Sequence, residues 1–318
     1  MMRKWLLMLA VMSLTPQGTR AFEIDPLVDI YGSLRPEVVF RSPEGGERVR
    51  RMADRYSRVG LKGRVEVPQS TIFGFYKYER RVSANDGEDD GAVRGDHNEL
   101  RQVHVGIGNG LGTLTIGRHY GLYYDVIDDE IDRHRSHYSD AIVFGDLFVS
   151  NAVLYQSPSG PVQGGVLMEF NDADATGAPV DERIEFATSL ADRGFSLHLG
   201  YVNSPAHDGL FGVAGSYGVD GWKAAGVYQR FKRSSAQTDK LWSGSIDLDV
   251  TPVNGVRLAF TRKLDGLDPD LDETVLTGGA DHRFTDQFVM WVEYAKKSTK
   301  VAQAGDEAAV VMGLRLDF

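Results

Sequence analysis

Apolar and polar residues alternate along most of this chain with a period of two. Between 29 and 40, Ile30, Gly32, Leu34, Val38 and Phe40 fall on one side, and Tyr31, Ser33, Arg35 and Glu37 on the other. That period marks a strand with one greasy face and one wet face. It recurs as Val59, Leu61, Val65 and Val67 against Arg58, Lys62, Arg64 and Glu66. It recurs again as Ile72, Gly74, Tyr76 and Tyr78 against Lys77, Glu79 and Arg81, and as Trp242, Gly244, Ile246, Leu248 and Val250 against Ser243, Ser245, Asp247 and Asp249. One segment resists. At 101–107, the parity that turns Arg101 to the polar side leaves Gln102 and His104 on the apolar side.

The connections alternate as well. Tight ones at 68–70, 108–110, 158–161, 192–194, 220–221, 252–255 and 285–287 are separated by longer ones such as 84–98, 172–181 and 232–240. Short turns at one end and long loops at the other are the rhythm of a transmembrane barrel. Counting the alternating segments gives about 16 strands, within the range of such barrels. A soluble sandwich alternates too. A closed barrel of this size is too wide to fill with side chains, so its polar face lines water and its apolar face meets lipid. The expectation is an all-β protein, a transmembrane antiparallel β-barrel. The last strand alternates Val310, Met312, Leu314, Leu316 and Phe318 up to the final residue. Such a strand would be an aggregation-prone edge in a soluble protein, whereas in a closed barrel it pairs with the first strand. Aromatics bunch near strand ends (Tyr76 with Tyr78; Tyr120 with Tyr123 and Tyr124; Trp291 with Tyr294), as interfacial girdles do.

The longest break in the alternation spans 117–146. An acidic run, Asp128-Asp129-Glu130-Ile131-Asp132, is followed there by a basic one with His134 and His137. A long loop in a compact domain is usually functional or disordered, and the Tyr and Ile residues argue against disorder. The loop, about 121–145, is expected to fold back inside the barrel and narrow it. His134 and His137 lack a metal-binding scaffold and read as loop residues that tune a pore as pH falls below about 7.

Composition narrows the class. The mean hydropathy of -0.27 is too polar for a bundle of membrane helices. The only long apolar run is at the start: a basic Arg3-Lys4, an apolar stretch 5–14, and a small-x-small site Thr19-Arg20-Ala21. This predicts a secretory leader, 1–21, and a mature barrel domain, 22–318. Losing Arg3, Lys4 and Arg20 takes the formal net charge from -10 to -13, a poor balance for nucleic acid. There is no Cys, hence no disulfide and no thiolate site. Gly-x-Ser-x-Gly, His-Glu-x-x-His and a phosphate-binding loop are missing, and Asp268-Pro269-Asp270-Leu271-Asp272 lacks the Gly and Glu of a calcium loop. No enzyme, cofactor or metal is expected.

The chain resembles the general porins of Gram-negative bacteria over essentially its whole mature length. The markers are Asp29-Ile30-Tyr31-Gly32-Ser33-Leu34, Ser57-Arg58-Val59-Gly60-Leu61-Lys62-Gly63, Tyr76-Lys77-Tyr78-Glu79 and Gly112-Thr113-Leu114-Thr115-Ile116-Gly117-Arg118. Gly279-Ala280-Asp281-His282-Arg283-Phe284, Trp291-Val292-Glu293-Tyr294-Ala295 and the terminal Phe318 complete them. The resemblance implies a homotrimeric diffusion channel for ions and small hydrophilic solutes. It would sit in outer-membrane lipid and lipopolysaccharide, inserted by a barrel-assembly machinery that reads the strand ending in Phe318. It also implies acids on the third loop facing a basic wall. Here these are Asp128, Asp129, Glu130 and Asp132 against Arg35, Arg58 and Arg101. Arg35 joins the wall by parity, although Ser33 stands where several relatives carry Lys. Two departures leave eyelet size and ion preference open: Phe148-Val149-Ser150-Asn151 stands where a further arginine is expected, and the loop lacks Pro-Glu-Phe-Gly-Gly-Asp. The alternatives are a substrate-specific channel, which needs an aromatic or basic ladder in the lumen that the sequence does not clearly display, or a barrel enzyme or adhesin.

Overall fold

The computed structural model describes residues 28–83, 100–130, 143–170, 183–204, 207–233, 237–299 and 305–318. The expected leader, 1–21, and the segment with Asp132, His134 and His137 lie outside the described residues. Sixteen staves form one closed antiparallel sheet. They are β1 (Asp29–Leu34 continued by Pro36–Pro43), β2 (Val49–Asp54 continued by Arg58–Glu66), β3 (Phe73–Arg81), β4 (Leu100–Asn109), β5 (Gly112–Tyr120), β6 (Phe148–Gln156), β7 (Val162–Glu169) and β8 (Arg183–Asp192). The circuit continues through β9 (Phe195–Ser204), β10 (His207–Val219), β11 (Trp222–Lys232), β12 (Thr238–Thr251), β13 (Asn254–Leu264), β14 (Glu273–Arg283), β15 (Phe288–Thr299) and β16 (Glu307–Asp317). Between β5 and β6 lie a short helix, α1 (Leu122–Val126), and a 3-10 turn, Asp128–Glu130. Among the described residues no helix is long and apolar enough to cross a membrane, so the strands do the crossing.

Closure is made by β1 against β16. Ser33 faces Asp317 and Glu37 faces Gly313 in one unbroken register. Phe318 finishes the seam: its N–H donates to the Gly32 carbonyl at 3.1 Å, and its carbonyl accepts from the Gly32 N–H at 2.8 Å. The break in β2 is a bulge. Asp54 faces Pro36 but Arg58 faces Ser33, so β2 carries one extra residue. Tyr56 absorbs it at φ 58, and Ser57 pins it by accepting from the Arg35 N–H at 2.7 Å. Tight hairpins close the opposite end; Arg193-Gly194 and Asp220-Gly221 both have positive φ at each central position, the handedness that suits the strand twist.

Burial is inverted relative to a soluble protein. Ile30 is 64% exposed, Val105 60% and Leu258 54%, while Glu37, Glu185 and Gln229 are at 1%, 0% and 0%. Leaving one large apolar side chain in water costs about 1.5–3 kcal/mol. Repeated on every strand, that cost makes lipid the outer solvent. The parity conflict at 101–107 is resolved by a second bulge. Glu79 faces Gln102 and Arg80 faces Leu100, so Arg101 is the extra residue. Arg101, Gln102 and His104 therefore all turn inward, and Val103, Val105 and Ile107 turn to lipid. The girdle expectation needs one correction. Tyr78 and Tyr294 are exposed outside, but Trp291 shares its parity with Glu293 and is buried inside, over Gly313. Tyr123 is also buried inside.

Candidate pore constriction

At the end of β5 the chain turns into the barrel. The Gly121 N–H donates to the Leu147 carbonyl at 3.2 Å, and α1 follows at once. Leu122 is buried among Val149, Leu154, Leu167 and Ala187, inward residues of β6 to β8. Tyr123 and Ile127, both 0% exposed, pack with Val202, Leu210, Ala214 and Val227 of β9 to β11. Two inward glycines make the seat. A Cβ on Gly200 would meet Tyr123 Cδ2 and Ile127 Cγ1 at 2.8 Å, and one on Gly212 would meet Ile127 Cγ2 at 2.8 Å. The Tyr123 N–H also donates to Glu185 Oε2 at 2.8 Å. Burying two large side chains contributes about 1.5–3 kcal/mol each, more than the ~1 kcal/mol of one hydrogen bond. The greasy patch is therefore the principal anchor. A sequence signal for it exists: Leu154, Leu167, Val202 and Leu210 are apolar at positions whose parity points to water.

The described acids of the loop divide into two pairs. Asp128 is 0% exposed; it accepts from Gln229 Nε2 and, at 2.9 Å, from the Gly145 N–H. Glu130 is buried 3.1 Å from Lys223 Nζ on β11 and 3.7 Å from His198 Nε2 on β9. Both thus turn toward the wall that carries the loop. Asp129 is exposed, and so is Asp125, which the charge run had not singled out. Asp125 is enclosed by the barrel, and desolvation there raises its carboxyl pKa above the usual range. Asp129 adds to that rise, while Lys77 pulls the other way.

On the opposing surface, β1 to β4 bring the three expected arginines onto one inner wall. Its centre is Glu79, 2% exposed. Arg101 Nε donates to Oε1 at 2.7 Å and the Tyr31 hydroxyl to Oε2 at 2.9 Å; Arg58 Nε and Lys77 Nζ stand 3.7 and 3.9 Å from Oε2. Arg101 also donates to the Tyr120 hydroxyl at 2.7 Å and lies 5.0 Å over the Phe148 ring. Phe148 stands where a further arginine was expected, and it carries Arg118 on its ring as well, at 5.0 Å. Arg35 donates through Nε to Ser33 Oγ at 2.8 Å. Glu79, Lys77 and Tyr31 were not singled out as site residues. Parity places each inward, but only the register Tyr31–Gly60–Glu79–Gln102 brings them together, and that register depends on the bulges. Three cations thus surround one carboxylate on one side, and two exposed carboxylates lie on the other. Clusters of charged side chains of this kind set selectivity in pores.

Comparison with known proteins agrees with this architecture. A family model described as Gram-negative porin matches residues 9–302. No curated protein sequence matches the chain at a significant level. Among solved structures, an anion-selective porin from Comamonas acidovorans superposes with a TM-score of 0.74 at 16% identity, covering 92% of this chain and 99% of that one. OmpF of Salmonella typhi, in complex with daunomycin, gives 0.72 at 16% identity, covering 92% and 97%. The trimer form of OmpT from Vibrio cholerae gives 0.67 at 15% identity, covering 92% and 99%.

Proposed function

Because the chain belongs to the Gram-negative porin family, whose barrels are outer-membrane channels for passive diffusion, we propose that its pore favours anions and that the wall around Glu79 sets this preference. The observation that carries the reading is the sharing of one buried carboxylate, Glu79, by Arg58, Lys77 and Arg101. The Comamonas acidovorans porin, similar in fold, is anion-selective, which supports the reading. Arg35 extends the wall. Asp125 and Asp129 form the open acidic side, whereas Asp128 and Glu130 hold the loop in place. No bond is made or broken; the protein replaces lipid with water. The test is the reversal potential in a potassium chloride gradient for the double variant Arg58→Gln, Lys77→Gln. A shift toward cations is expected, and an unchanged potential would overturn the assignment.

The finer partners belong to the same proposal. The trimer form of one structural relative supports a homotrimer. Phe318, locked to Gly32 at the seam, is proposed as the mark read by the assembly machinery. On the outer face, Arg230 lies directly opposite Lys240, with Arg262 and Lys296 on the same exposed face. Like charges directly opposed are destabilising, and phosphates of lipopolysaccharide would neutralise them. The leader ends at Ala21 in this reading, so the mature protein starts at Phe22.

A further inference from the structure

The inner wall of β1 to β4 is more than basic. Three aromatic rings alternate with its cations from the tight-turn end toward Glu79. Each leans over an inward glycine of the neighbouring strand. A Cβ on Gly108 would stand 2.8 Å from Phe73 Cε2, one on Gly106 2.8 Å from Phe75 Cε1, and one on Gly60 2.7 Å from Tyr31 Cε1. The glycines hold the rings against the wall; Phe75 and Tyr31 are partly covered, and the Phe73 ring is capped by the Arg64 guanidinium 3.4 Å from its centroid. Cations sit among them: Lys62 and Lys77 Nζ lie 5.2 and 5.6 Å from the Tyr31 ring centroid.

The charges on this wall do not balance locally. Lys62 is matched by Asp29 at 3.2 Å. Arg58 and Lys77 share Glu79 with Arg101, and their side chains are 24% and 29% exposed, within reach of a solute. Phe73 also borders a cavity of about 560 Å³ whose loop side is formed by Leu122, Val126 and Asp125. That space is lined by the Phe73 ring, two apolar helix residues and the Asp125 carboxylate, and the cations Lys77 and Arg58 stand further along the wall.

We propose that this wall is a binding track for planar aromatic carboxylates. The ring of the solute stacks on the Arg64 guanidinium that caps Phe73, then offset on Phe75 and Tyr31, and its carboxylate is passed to Lys77 and Arg58. Aromatic pairs prefer offset stacking and contribute beyond their buried area, and a carboxylate meets ammonium and guanidinium groups by charge-assisted hydrogen bonds. A saturated ring of the same charge and similar size gains the second interaction but not the first. The inference rests on the channel reading above and adds a solute class to it.

The probes are benzoate, cyclohexanecarboxylate and acetate, added to the full-length purified protein in a planar bilayer carrying chloride current. Benzoate is expected to reduce the current at concentrations about 2–12-fold below cyclohexanecarboxylate, and further below acetate. Phe73→Leu with Phe75→Leu is expected to diminish the benzoate preference over cyclohexanecarboxylate, Phe75→Leu alone to diminish it less, and both to leave the chloride reversal potential unchanged. Lys77→Gln is expected to weaken all three carboxylates. Equal effects of benzoate and cyclohexanecarboxylate on the unaltered protein would overturn the track, as would an undiminished benzoate preference in the leucine variants. A folded barrel with no chloride current would overturn the channel reading itself, a result recognisable before any carboxylate is added.

Discussion

Replacing Glu79 with Gln tests the wall through two independent readouts. Glu79 and Arg101 have side chains 2% and 4% exposed and meet at 2.7 Å. Removing one partner of such a buried pair costs about 3–5 kcal/mol, and the lower end applies because a Gln carbonyl still accepts one hydrogen bond. The same substitution takes the local balance of Arg58, Lys77 and Arg101 against one carboxylate from +2 to +3. A unit charge about 7 Å from a passing ion acts with about 0.6 kcal/mol in water, and screening near 0.1 M salt roughly halves it. Applied with opposite sign to anion and cation, that raises the anion-to-cation permeability ratio about 2–3-fold. The assays are the urea midpoint of heat-modifiable gel mobility and the reversal potential in a salt gradient. Glu66→Gln is the control, since its pair with Arg64 is 62% and 55% exposed and surface pairs contribute about 0–1 kcal/mol. The reasoning fails if Glu79→Gln destabilises no more than the control, or if its reversal potential does not move toward anions.

Three further outcomes follow from the geometry. Tyr123→Ala should empty the seat on Gly200 and Gly212, at a cost of about 3–5 kcal/mol to loop docking. It should appear as larger, noisier single-channel conductance with the barrel still folded, whereas Tyr123→Phe should leave conductance unchanged. Asp125, whose pKa lies above the usual carboxylate range, takes up its proton early as pH falls. The loop side then loses negative charge and anion preference rises, and Asp125→Asn should show that raised preference at neutral pH and lose the early step in a pH series of reversal potentials. Arg230→Gln with Lys240→Gln should reduce co-purifying lipopolysaccharide several-fold, measured by native mass spectrometry, without changing conductance.

The barrel was legible because its physics is local. A strand facing lipid on one side and water on the other must alternate, and the long-short rhythm of connections supplies the topology, so the staves and their inward faces could be read residue by residue. Arg101 shows where that reading fails. One extra residue in β4 inverts parity; the conflict at 101–107 announces an irregularity but not its place or form, because a bulge is fixed by pairing across the sheet. Glu79 was hidden for the same reason: its three cations come from three strands. The acidic run displays charge but not direction. Asp128 and Glu130 are buried against Gln229 and Lys223, and Asp125, outside the run, is open. Direction there depends on which side of a short helix rests on the inward apolar patch. The apolar residues at inward parity were the readable clue to that patch.

The central claim is that a loop seated in a water-filled barrel narrows it opposite a basic wall. Single-channel recording of the purified protein in a planar bilayer under a salt gradient tests it most directly. The account predicts ohmic steps closing in threes, with a reversal potential on the anion side. A folded protein that passes no current would contradict it, because the barrel would then be plugged and the wall around Glu79 would face no passing ion.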